Sequence, residues 1–175
     1  MTTAQTLLGS LVQISAPWHA DWIWGCPLIV ITVIIHVLGL SSMTQKAIPI
    51  YNDLRKHCRP TAAATVVIGA AALLATLLHG LEAAIWALTY RFIGSLPDTK
   101  SAMLYSLGAL TTYGHHSVFL EDRWQLLGVL EALDGWLLFG LSTAFLFMLF
   151  QEFSPVGRAV RQIAEDNRPS HLQGT

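Results

Sequence analysis

The sequence predicts an all-α membrane protein, and three observations predict it. Apolar residues make up 53% of the 175 residues. Charged residues make up 12%, about half their share in an average soluble domain. The apolar residues also gather into three long runs with almost no charge, each close to the roughly 20 residues needed to cross a bilayer. A net charge of −1 gives no electrostatic footprint for a nucleic acid, and the length suits a single domain.

Residues 1–20 carry no Lys or Arg ahead of their apolar residues and so do not read as a secretory signal. Within them, 3–15 have leucines near helical spacing and suit a short surface helix. The first spanning helix is expected within 21–43, in the uncharged run I-W-G-C-P-L-I-V-I-T-V-I-I-H-V-L-G-L. Trp18, Trp22 and Trp24 fit an aromatic belt at its entry. Pro27 stands near its start, where a missing N–H matters least. Residues 41–59 then read as a polar linker with Lys46, Arg55, Lys56 and Arg59. In that linker 47–51 are expected to rest on the membrane surface and 52–58 to extend the next helix, with Pro60 near a helix start.

The second span is expected over 61–90, rich in alanine and leucine, and ended by Arg91, Gly94 and Pro97. The third begins at Trp124 and runs to about Phe150. Residues 151–166 continue as an amphipathic tail interrupted at Pro155, with Arg158 and Arg161 on its polar side. The last nine residues, N-R-P-S-H-L-Q-G-T, have the composition of a disordered end. Cys26 and Cys58 lie on opposite sides of the membrane in this topology and form no disulfide framework.

Between the second and third spans, 97–117 is too short and too polar to cross a bilayer. Asp98 or Thr99 can cap a half-helix over 101–110, and T-T-Y-G follows it. Irregular backbone at membrane depth is tolerated only where it is buried in protein or lines water. A re-entrant loop framing a pore meets that condition. Seven of the ten Lys and Arg residues fall in the linker and the C-terminal tail; Arg91, Lys100 and Arg123 fall on the other side. The positive-inside rule therefore puts the C-terminus in the cytoplasm and the N-terminus and loop outside, in a multi-pass protein of the inner (plasma) membrane.

S-L-G-A-L-T-T-Y-G-H-H-S resembles the pore helix and filter of potassium-channel-like proteins, where the run is close to T-x-T-T-x-G-Y-G-D. Thr111 and Thr112 match the two threonines, Tyr113 takes the variable position and Gly114 the first glycine. His115 then stands where the family has tyrosine, His116 where it has the second glycine, and Ser117 where it has aspartate. The flanking H-G-L-E-A-A-I-W-A-L-T-Y and R-W-Q-L-L-G-V-L-E-A-L-D-G-W-L-L-F-G-L-S-T-A-F-L are similar to the outer and inner helices of small bacterial members. The resemblance divides the chain into a peripheral segment (1–59), a pore domain (60–153) and a cytoplasmic tail (154–175). It implies a homotetramer in the lipid bilayer, passing monovalent cations such as K+ or Na+ by passive transport, with no enzymatic step and no cofactor. With no arginine at every third position of any span, an S4-type voltage sensor is not expected.

Thr111, Thr112, Tyr113 and Gly114 are the candidates for carbonyl and hydroxyl ligands of a cation. Glycine permits the backbone angles that aim carbonyls at an axis. At His116 that freedom is lost, so potassium selectivity is weakened on this reading. His115 and His116 have three open readings: they crowd the mouth and repel cations once charged in mild acid, they hold zinc or copper, or they turn behind the filter and hydrogen-bond there. His79, Glu82, Trp86 and Tyr90 share one helix face at i, i+3, i+7 and i+11 and suit a polar brace behind the pore helix; His79 with Glu82 also suits a metal. Glu131 suits a hydrogen bond to the back of the filter. Asp134 is expected to face a water-filled cavity wetted by Ser142 and Thr143, with inter-helix hydrogen bonding as the other reading for both acids. Gly135 and Gly140 are candidate gating hinges.

Two further function classes stand beside the channel. One is a haem or metal membrane protein ligated by His36, His79, His115 and His116. In it the pairing of His36 with His79 is poor, because His36 is placed toward the inner half of the bilayer and His79 toward the middle or outer half. The other is an accessory subunit that lends a helix hairpin to a larger complex.

Overall fold

A computed structural model describes residues 19–114 and 118–166. All regular structure among them is helical: α1 (His19–His57), α2 (Pro60–Phe92), α3 (Thr99–Leu110), a 3-10 turn at Asp122–Trp124, α4 (Gln125–Phe153) and α5 (Pro155–Asp166). Three stretches, His19–His57, Pro60–Phe92 and Asp122–Phe153, are long and apolar enough to cross a membrane. The chain is therefore an all-helical membrane protein. The expected surface helix within 1–20, His115, His116, Ser117 and the expected disordered end lie outside the described residues.

One expected boundary is wrong. The linker over 41–59 is not a linker but the second half of α1, and 52–58 extend that helix rather than the next. Even Pro49 sits within it, although proline removes an intrahelical hydrogen bond. Tertiary contact outweighs that local cost, because Ala47 and Tyr51, on either side of Pro49, are buried in a core. The break falls at Cys58–Arg59, and Pro60 opens α2 as its first residue, where its missing N–H is harmless.

The helices contribute to two compact units, Met1–Val33 with Leu81–Leu137, and Ile34–Gly80 with Leu138–Thr175. In the first unit α1 and α4 run in the same direction. Asp21 Oδ1 accepts from the Leu127 N–H at 3.0 Å, so an α1 carboxylate satisfies one of the orphan donors at the start of α4. Further along, a side chain at Gly25 would press on Leu130, and Thr32 reaches Asp134. The α2 helix runs the opposite way, with Tyr90 against Glu131 and Trp86 against Asp134.

The second unit is packed mainly with carbon. Leu40, Ala47, Tyr51, Ala63, Ala64, Val67, Ala71, Phe145, Leu149 and Phe153 form its buried cluster. The small alanines of α2 let the helices approach closely, as membrane helices require. Tyr51 stacks on Phe153 at 4.6 Å, and its hydroxyl donates to the Phe153 carbonyl at 3.3 Å. Ser154 ends α4 and Pro155 starts α5. A side chain at Gly157 would meet the Phe150 carbonyl oxygen at 2.5 Å, so glycine allows this tight return. Val156, Val160 and Ile163 form an exposed apolar stripe on α5, and the amphipathic tail expected from the sequence is present.

Candidate functional site

The polar chemistry of the first unit gathers around α3. Asp98 caps that helix: its carboxylate accepts from the Ser101 N–H at 2.9 Å and from the Ser101 hydroxyl at 2.7 Å. The Ser101 side chain first, and the Ser101 N–H second, hold the Asp98 carboxyl below its ordinary value.

The α3 helix lies alongside the first half of α4 and runs in the same direction. A side chain at Gly128 would clash with the Tyr105 hydroxyl, and one at Gly135 with the Leu110 carbonyl oxygen. Between these glycines, Ser106 Oγ contacts Glu131 Oε1 and also reaches the Ala83 carbonyl at 2.7 Å. The other Glu131 oxygen accepts from the Tyr90 hydroxyl at 2.6 Å. Glu131, Ser106 and Tyr90 are all fully buried. A carboxyl group buried this deeply is tolerated because partners on two other helices satisfy it. The end of α3 is thereby held against Gly135, roughly 15 Å along α4 from its first residue at 1.5 Å per residue. By Leu120, whose side chain packs at Gly128, the chain has returned toward the start of α4.

The backbone over residues 111–114 is irregular. Thr111 retains helical angles, but Thr112 has φ +56° and Gly114 φ +84°. A β-branched residue with positive φ is an outlier, and such strain gathers at functional sites. The Thr111 hydroxyl donates back to the Leu107 carbonyl at 2.6 Å, which leaves its oxygen lone pairs available. Thr111, Thr112, Tyr113 and Gly114 are all exposed, Tyr113 at 77%.

The remaining candidates fall into different places. Asp134 is fully buried and bonded to α1 and α2, which corrects the cavity role expected for it. Its Oδ2 accepts from Thr32 Oγ1 at 2.7 Å and from Trp86 Nε1 at 3.0 Å. The Trp86 indole N–H is thereby tied to α4. Glu82 is fully buried in the same unit. Gly135 is a spacer against Leu110, whereas Gly140 has nothing within 4 Å of where a side chain would start. Thr143 is exposed and bonds its own helix at Phe139.

His79 belongs to the second unit. Its Nε2 lies 3.2 Å from Ser142 Oγ, and His36 Nε2 lies 3.0 Å from the same oxygen. Ser142 is buried, so it wets no cavity as expected but joins two histidines. The rings of His36 and His79 are 5.0 Å apart, which corrects the expectation that their depths mismatch. Phe139 stacks on His79 at 4.4 Å. Rings in such contact leave no room for a macrocycle between them, so this pair does not suit haem.

Sequence reasoning missed Asp21, Thr32, Ser106 and Tyr105. Each is a polar residue in or beside an apolar run, and only its partner, as many as 106 positions away for Asp21, reveals a role. No family model matches this chain, and no characterised protein or solved structure is similar to it.

Proposed function

We propose that the chain is a pore-loop cation channel in which α3 is a re-entrant pore helix and Thr111, Thr112, Tyr113 and Gly114 supply the filter. Four copies surround the axis. The observation that carries this reading is the register of α3 on α4: Ser106 at Glu131, Leu110 at Gly135, then Leu120 back at Gly128. A segment that enters beside a spanning helix, stops about a third of the way along it and returns is the geometry that a filter loop needs.

Three further features support it. The C-terminal end of α3 directs partial negative charge at 111–114, which favours a cation. The positive φ angles at Thr112 and Gly114 turn successive carbonyls away from helical directions. The exposed segment and the exposed apolar residues of α4, among them Val129, Leu133 and Trp136, suit a chain surrounded by lipid and by copies of itself. On this reading Glu131 is a positioning residue that fixes the depth of α3. Potassium-over-sodium selection is weak because histidines replace the outer part of the family's filter. Transport is passive, the C-terminus is cytoplasmic and the membrane is the inner one.

The test is ion flux from liposomes holding the purified chain, with K+ or Na+ gradients. The expected result is flux of both ions. Strong exclusion of Na+ would refute the weakened filter, and no flux at any pH would refute the channel. Mass measurement of the detergent-solubilised particle checks for four copies.

A further inference from the structure

The second unit contains an apolar groove of about 360 Å³ between α1 and α2. Small side chains make the space: Gly39 and Ala47 on α1, and Ala70 and Ala71 on α2. Leu74 lines one end and Ile50 the other. The polar contribution comes chiefly from Ser42, whose hydroxyl is already turned back to the Leu38 carbonyl at 2.8 Å, and from Lys46.

Lys46 is the sole charged residue lining the groove. It is also the first cation of α1, after an uncharged stretch over 22–45. It is exposed and forms no ion pair among the described residues. The groove thus starts in the uncharged part of the helix pair and runs past the first positive charge, Lys46, to Ile50 about one turn beyond it. Arg55, Lys56 and Arg59 follow further along, so this end of the unit carries a positive field. A soluble anion has no use for the carbon-lined floor, and a neutral chain has none for Lys46. An amphiphile with an apolar chain and an anionic headgroup matches both. Basic pockets between spanning helices are suited to anionic headgroups for the same reason.

We propose that this groove binds one anionic phospholipid per chain, with an acyl chain along Ala70, Ala71 and Leu74 and the headgroup phosphate at Lys46. The site does not depend on the channel reading.

Native mass spectrometry of the full chain, delipidated and then titrated with phosphatidylglycerol or phosphatidylcholine of the same acyl chains, tests it. One lysine near a headgroup supports a preference of about five-fold for phosphatidylglycerol. Lys46→Gln is expected to remove that preference and Lys46→Arg to keep it. Ala70→Phe fills the groove from an exposed position, so folding is spared, and retention of both lipids is expected to fall. Lys56→Gln, at an exposed residue paired with Asp53, is expected to change nothing. Equal retention of the two lipids by the parent chain overturns the proposal. So does unaltered phosphatidylglycerol binding in Ala70→Phe, an equal loss in Lys46→Gln and Lys56→Gln, or displacement of the lipid by free glycerol phosphate.

Discussion

The two units draw on the same three long helices but bury different chemistry. The first buries four acids, Asp21, Glu82, Glu131 and Asp134, and Asp21, Glu131 and Asp134 have partners on another helix. The second buries mostly alanine, leucine and aromatic rings, with buried His36 and Ser142 and half-buried His79 forming a polar group. The difference follows from what each must hold. Helices that only pack together need small residues and good fit. A helix that stops part-way along its neighbour leaves backbone groups and an end to fix in place, and this requires directed hydrogen bonds. Glu131 does that work for α3.

The largest test of this contrast is Glu131→Ala. It strips an acceptor from both Ser106 and Tyr90, and a loss of about 3 kcal/mol is expected, read as a lowered thermal midpoint in detergent by circular dichroism. Glu131→Gln keeps an acceptor and is expected to lose about 1 kcal/mol. Next comes Gly135→Ala, where the new methyl group must displace Leu110; overpacking costs about 2 kcal/mol, and ion flux is expected to be lost. Gly140→Ala, in open space, is expected to stay within about 0.5 kcal/mol. If both glycine variants lost flux equally, a hinge role for the pair would replace the spacer role.

In the second unit Leu149→Ala is expected to cost about 1.5 kcal/mol. The cavity term persists, but lipid is as apolar as leucine, so the transfer term shrinks. A cost equal to that of Glu131→Ala would erase the distinction between the units. Smaller still is Thr112→Gly. Removing the Cβ from a left-handed residue is expected to be neutral or stabilising by up to about 1 kcal/mol, whereas Thr111→Gly, with ordinary angles, is expected to lose about 1 kcal/mol. The same melts separate them.

The finest effect is at Asp98. Its carboxyl is held below the ordinary value in the folded chain. The cap therefore stabilises α3 above the unfolded carboxyl value and is lost as pH falls through the folded one. Amide exchange at the start of α3 is expected to quicken in acid, and Asp98→Asn, which caps without titrating, is expected to remove that pH dependence. Quickening of the same size in the variant would refute the cap as its cause.

The apolar runs alone were enough to predict three spanning helices, because a bilayer demands length and low charge whatever the partner. The half-helix over 101–110 was legible too, since Asp98 at its start is a local signal, and so was the break at Pro155. The continuous helix through Pro49 was not legible. Local chemistry argues against it, and only the burial of Ala47 and Tyr51 supports it. The direction of Asp134 was not legible either. A carboxylate in a span can face water or a neighbour, and the choice rests on Thr32 and Trp86, which stand 102 and 48 positions away. Sequence by itself decided which segments leave water, because transfer from water is a property of each segment alone. Tertiary structure decided which polar groups meet, because a hydrogen bond needs two atoms brought within about 3 Å, and spacing along the chain does not encode that for residues on different helices.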